Sequence, residues 1–182
     1  MINAIGIIEL NSIAKGITVA DAMLKASTVT LLESRPICPG KYLTIIHGDV
    51  ESVKNSIDIG KSLSKAYLVD SLVIPNIHTQ VVKAITGVSS VEKFKAIGVL
   101  EFFSITSSIL SADFAVKSAN VDIVELRLGI AIGGKSFVTL TGDVSAIQEA
   151  IKVGKRAGVE NGLLFESTII DSPDQELLKK LV

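Results

Sequence analysis

The sequence predicts a chain of two consecutive mixed α/β domains, each a βαββαβ unit. Three observations predict it: an internal repeat, an alternation of aliphatic strand-like runs with helical periodicity inside each repeat, and a length of 182 residues, about twice that of a small domain. The repeat weighs most. "AIGIIELNSI" (Ala4–Ile13) returns as "AIGVLEFFSI" (Ala96–Ile105), 92 positions on, and the same offset aligns "ADAMLKASTV" (Ala20–Val29) with "ADFAVKSANV" (Ala112–Val121). Asp21 then stands over Asp113 and Lys25 over Lys117. "GKYLTIIHGDV" (Gly40–Val50) pairs with "GKSFVTLTGDV" (Gly134–Val144) at an offset of 94, so the second copy holds two more residues in the preceding loop. "LVDSLVI" (Leu68–Ile74) answers "LFESTII" (Leu164–Ile170) at an offset of 96. The expected domains are residues 1–91 and 92–182, joined near "SSVEKFK".

Each element has a local reason. "NAIGIIEL" and "TVTLLES" are β-branched and aliphatic runs, read as strands. Between them Val19/Met23 and Ala20/Leu24 stand four apart, the spacing of one helix face, and Ala20, Ala22 and Ala26 allow close packing. "KYLTIIH" is the third strand. It ends at Gly48, and Asp49 is placed to cap a helix whose apolar face includes Val53 and Ile57. The second copy repeats this with Gly142, Asp143, Ile147 and Ile151. After the fourth strand Pro75 stops the sheet, and "IHTQVVKAI" forms a small terminal helix.

Composition narrows the function class. With 18 Lys+Arg against 19 Asp+Glu, nothing attracts nucleic acid or an anionic membrane over a broad surface. The chain is 48% hydrophobic with a mean hydropathy of +0.51, yet only 4% aromatic and without Trp, so its apolar content is small and aliphatic. That suits tight packing and large subunit contacts. The uncharged stretch between Asp70 and Lys83 is too short, and too interrupted by Pro75 and Asn76, to cross a bilayer. "MINAIGIIEL" has no basic region of the kind that opens a signal peptide, and with a single cysteine the expected address is cytosolic.

That cysteine is in "SRPICPGKYL" (Ser34–Leu43). Pro36 and Pro39 fix φ and remove two donors, and Gly40 permits conformations other residues avoid, so Cys38 is expected on a stiff, bent, exposed loop. One thiol makes neither an intrachain disulfide nor a CxxC metal site. Cys38 is thus an inert thiol, a nucleophile, or one member of a set completed by other copies of the chain.

Taken together, "AIGIIE", "ADAMLKAS" with its lysine, the "GK…GDV" pair and "LVDSLVIPNIH" resemble the bacterial microcompartment shell proteins of tandem-domain type, over nearly the whole chain. "SRPICPGKYL" is similar to the shell proteins of the propanediol-utilisation compartment that carry an iron–sulfur cluster in the pore. The resemblance implies an α+β fold, a ferredoxin-like variant, with three chains closing a pseudohexameric homotrimer around a pore. It implies one [4Fe–4S] cluster per trimer, of a kind that aerobic preparation can remove, with Cys38 as each chain's ligand. Pro36, Ile37, Pro39, Gly40, Gly133 and Gly134 are the implied pore-loop residues, and Lys25 and Lys117 lie at the tile edge. The implied partners are other shell proteins and encapsulated redox enzymes; the implied place is a microcompartment shell in the cytoplasm. Three thiolates leave one iron without a cysteine ligand. "RLGIAIGGK" (Arg127–Lys135) has no cysteine and brings shape but no thiolate.

Other motifs have plainer readings. Gly129, Gly134, Lys135 and Ser136 satisfy the spacing of a phosphate-binding loop, but such a loop leads into a long helix, and "SFVTLTG" reads as a strand. Asp21/Lys25 and Asp113/Lys117 also read as exposed helix pairs. His47 and His78 are expected to be structural, and the recurrence of Glu9, Glu101, Asp70 and Glu166 reflects a fold or interface requirement rather than acid–base catalysis. Three functions follow: a shell tile with a cluster-bearing pore serving electron transfer or cluster delivery, a plain tile with a small-molecule pore, and, more distantly, a cysteine enzyme.

Overall fold

The computed structural model describes residues 3–88, 91, 94–159 and 162–181. It separates into two compact units, residues 1–77 and 78–182. Four of the seven residues of the expected junction "SSVEKFK" (Ser89, Ser90, Glu92 and Lys93) lie outside the described residues.

The first unit runs β1 (Ala4–Leu10), α1 (Ile13–Ala26), β2 (Thr30–Ile37), β3 (Lys41–Gly48), α2 (Val50–Ser64), a single 3-10 turn (Lys65–Tyr67) and β4 (Leu68–Pro75). Its strands lie in the order β2-β3-β1-β4, and every neighbouring pair is antiparallel. The interleaved order is that of two split βαβ units, since β3 lies between β1 and β2, and β1 between β3 and β4. Val19 and Met23 of α1 and Val53 and Ile57 of α2 bury against Ile8, Leu10 and Ile46 of the sheet. Asp49 caps α2 as expected, its carboxylate accepting from the Ser52 amide at 2.9 Å. Gly6 lets α2 lie close on the central strand: a Cβ there would come within 2.8 Å of Ile57 and Val53.

The second unit runs α3 (Thr79–Ile85), β5 (Ala96–Phe102), α4 (Ile105–Ser118), β6 (Val121–Leu128), β7 (Ser136–Gly142), α5 (Val144–Gly154), α6 (Arg156–Val159), β8 (Leu164–Ile170) and α7 (Gln175–Leu178). Its sheet has the same topology, β6-β7-β5-β8. Gly98 repeats the part of Gly6, facing Ile147 and Ile151 of α5. Two features depart from simple duplication. The helix that ends the first repeat, α3, packs on β6 and α4, so the second unit begins by contact at His78. Asp143 begins α5 without capping it through its side chain; its carboxylate binds Lys95 at 2.8 Å instead.

Candidate functional site: the two strand hairpins and the helix face

The segment around Cys38 is more regular than its prolines suggest. Ser34–Ile37 continue β2, with Pro36 opposite Tyr42 and Ile37 opposite Lys41, so only Cys38, Pro39 and Gly40 form the turn. A proline fits there because β2 is an edge strand, on which every second amide faces away from β3 and makes no ladder bond. Gly40 takes a φ of +78°, the left-handed turn position a three-residue hairpin asks for. Of the expected loop residues, Pro36, Pro39 and Gly40 are exposed, Ile37 is buried and Cys38 is half-buried with a free thiol. The side chain is thus held at a hairpin apex, with Ile37 anchoring one arm in the core.

The matching hairpin joins β6 to β7 through Gly129–Lys135, with Leu128 opposite Ser136. Gly133 and Gly134 lie in this loop, at φ of +64° and +82°, and Gly133 is exposed. The loop does not bind phosphate in the manner its spacing suggests: Ser136 opens a strand and donates its hydroxyl to the Ser104 carbonyl at 2.7 Å, and the Lys135 ammonium is held by Glu101 at 2.5 Å.

The base of each hairpin carries a lysine–glutamate pair that the sequence reading passed over. Lys41 Nζ lies 2.6 Å from Glu9 Oε1, and Lys135 stands in the same relation to Glu101. The signal was present as two recurrences, glutamates 92 apart and lysines 94 apart. Across the sheet Asp70 faces Glu9 and Glu166 faces Glu101. Asp70 and Glu166 each accept the amide of the following residue at 2.8 Å. These carboxylates are structural.

His47 lies at the far end of β3, six residues beyond Lys41, which at strand rise is about 20 Å from the Cys38 turn. It gives Cys38 no base within the unit, and burial lowers its pKa. His78 caps α3, its Nδ1 accepting from the Gln80 amide at 3.3 Å. Among the described residues no group of three His, Cys, Asp or Glu side chains could hold a metal ion.

The two Asp-Lys helix pairs differ. Lys25 binds Asp21 at 2.6 Å on the open face of α1, with the Asp21 side chain 62% exposed. Lys117 binds Asp113 at 2.5 Å, but the Asp113 side chain is 2% exposed and also accepts the His78 amide at 2.8 Å. Among the described residues no helix is long and apolar enough to cross a membrane.

Comparison with known proteins agrees with this duplicated geometry. The BMC domain family matches residues 4–77 and again 96–173. The chain is 45% identical over 182 residues to the bacterial microcompartment shell protein PduT of Citrobacter freundii, covering 100% of this chain and 99% of that one. It is 27% identical to the carboxysome assembly protein CcmO of a Synechocystis strain, over 92% of this chain and 61% of that protein. Among solved structures, a microcompartment protein from Desulfitobacterium hafniense superposes with a TM-score of 0.92 at 46% identity, over 98% of this chain and 99% of the other. The fused permuted hexameric shell protein MSM0275 shares the fold, with a TM-score of 0.62 at 21% identity over 84% of this chain and 82% of that one.

Proposed function

The chain belongs to the BMC domain family of bacterial microcompartment shell proteins, and from that premise we propose that three copies close into one tile in which three Cys38 thiolates hold a single [4Fe–4S] cluster. Membership itself gives a structural, non-enzymatic part of a shell inside the bacterial cytoplasm. The finer reading is carried by one observation, a free thiol at the apex of a tight hairpin anchored by Ile37 and by the Lys41–Glu9 pair.

The residues fit such a group in kind, and in number they supply three of its four ligands. Iron–sulfur clusters are bound by cysteine thiolates, and each chain has one to give. One chain alone lacks a metal-holding group among its described residues, so the site needs symmetry to complete it. Three equivalent chains supply three thiolates and leave one iron for a ligand other than cysteine. A bound cluster supplies one-electron redox chemistry, suited to electron transfer across the shell or to cluster delivery to enzymes inside. The hairpin's part is to hold Sγ in a fixed direction. Lys25, on the open face of α1, is proposed as a tile-edge residue meeting the neighbouring tile, and other shell proteins are the partners there.

The test is iron and acid-labile sulfide after anaerobic purification and reconstitution. About four irons per three chains are expected in the parent and none in Cys38→Ser, with the trimer mass unchanged. A parent without iron and sulfide, or a Cys38→Ser protein that keeps them, overturns the reading and leaves a plain tile with a small-molecule pore.

A further inference from the structure

Duplication lets each surface of the second unit be compared with its counterpart in the first, and one surface does not match. On α1 the side chains of Ile13, Ile17 and Leu24 form an exposed apolar stripe, continued by Leu31 on the edge strand β2. At an offset of 92 their counterparts are Ile105, Ile109, Val116 and Ile123, all buried; Ile17 is 55% exposed and Ile109 0%. Against this face, in the second unit, lies α3. Its Gln80 side chain reads the free edge of β6, accepting from the Ile123 amide at 3.1 Å while its NH2 group reaches Asp122 at 3.1 Å and the Val121 carbonyl at 3.5 Å. The His78 amide donates to Asp113, and Val81 and Ile85 are buried.

The chain also holds a second copy of the docking element. At an offset of 96, His78 corresponds to Asp174, Gln80 to Glu176 and Val81 to Leu177. Asp174 caps α7 by accepting the Glu176 amide at 2.7 Å, as His78 caps α3 by accepting the Gln80 amide. Yet Leu177 is 44% exposed where Val81 is 0%. One chain therefore carries a covered apolar face with its docked helix and, separately, the open counterpart of each.

We infer that the segment from Ser172 to Leu181 of one chain docks on α1 and the β2 edge of a second copy, repeating between chains the contact that α3 makes with α4 and β6. The polar groups exchange in step. Where Gln80 donates to Asp122, the counterparts are Glu176 and Thr30, so the hydroxyl donates and the carboxylate accepts. Glu176 keeps an acceptor for the Leu31 amide, and the Asp174 amide meets Asp21 as the His78 amide meets Asp113. The contact is head-to-tail, and such contacts close rings when the rotation permits. The inference rests on the ring reading above and assigns the segment that seals it.

Two experiments test it. Leu177→Asp places a charge in the docked face, and light scattering is expected to fall from three times 19.2 kDa to one, with the helical circular dichroism signal retained. A mass unchanged from the parent overturns the docking. Because α7 also buries Leu178 in its own unit, a second variant guards against a folding defect. In a Cys38→Ser background, Glu176→Cys with Thr30→Cys is expected to oxidise to species of two and three covalently joined chains on a non-reducing gel. Gln80→Cys with Asp122→Cys should stay at one chain mass, its disulfide being internal. A parent trimer whose Glu176/Thr30 pair stays at one chain mass refutes the docking alone; a monomeric parent refutes the ring reading with it.

Discussion

Lys41 reaches from the start of β3, beside the Cys38 turn, to a Glu9 carboxylate whose side chain is only 4% exposed, whereas Lys135 meets a Glu101 carboxylate that is 28% exposed. The same pair has been duplicated into two dielectric surroundings. Removing the lysine strands a buried charge in the first copy and a partly solvated one in the second. Lys41→Met is expected to cost about 2–4 kcal/mol and Lys135→Met about 0–1 kcal/mol, measured by denaturant unfolding. Equal losses would contradict the assignment of burial as the deciding effect.

Gly16 and Tyr42 form a size-matched pair that differs between the copies. A Cβ at Gly16 would fall on the Tyr42 side chain, 2.4 Å from its Cβ and 2.5 Å from the ring atoms Cγ and Cδ1. The Tyr42 hydroxyl is tied to Ser34 at 2.9 Å, so the ring has no free direction to yield. At the corresponding offsets the second copy has Ser108 and Ser136, both buried, a larger residue on the helix and a smaller one on the strand. Gly16→Ser is expected to lose about 1–3 kcal/mol through overpacking. In a double-mutant cycle with Tyr42→Ser the coupling should be favourable, because the second change removes the ring from the clash and leaves only the Cβ contact. Additive losses would mean that the backbone, not the ring, sets the preference for glycine.

Much of this architecture was legible because a duplicated sequence aligns each element against itself. The strands beginning at Ala4 and Ala96, the Asp49 cap and the Val19/Met23 helix face all stand where periodicity puts them. The hairpin was misjudged because proline normally ends a strand, and only the edge position of β2, a tertiary fact, admits Pro36. The unequal Asp-Lys pairs were illegible for a different reason. Both read as an aspartate four residues before a lysine, and what separates them is the His78 amide brought onto Asp113 by α3. Ownership of a short helix depends on which sheet edge it covers, and local sequence does not carry that information.

The same inequality separates the two lysines by experiment. Lys25→Glu is expected to leave the unfolding of the single chain nearly unchanged, since an exposed pair contributes within about 1 kcal/mol, while impairing the flat sheets expected of the proposed tiles at high concentration. Lys117→Ala removes one of two donors to the buried Asp113 and is expected to cost about 1–3 kcal/mol in unfolding. Electron microscopy of the first variant and calorimetry of the second give the readouts. Parent-like sheets from Lys25→Glu would remove it from the tile edge.

His47 sets a pH dependence whose direction follows from its surroundings. The ring lies at the end of β3 between Ile5 and Thr30 on the flanking strands, and burial there disfavours the imidazolium, so the folded pKa lies below the ordinary 6.5. The unfolded chain then binds the proton more readily than the folded one. Stability contributed by neutral His47 is present in full above about pH 6.5 and is lost as pH falls from there through the folded pKa. Asp49 acts lower on the scale. Hydrogen bonds from Ser52 depress its pKa, so its contribution persists above the usual carboxylate value of 3.8 and disappears only in stronger acid. Thermal unfolding of the parent should therefore weaken between pH 7 and 5, and His47→Gln should flatten that interval while leaving the steeper acid limb in place. A variant whose midpoint still falls in parallel with the parent from pH 7 to 5 would assign the titration to another group.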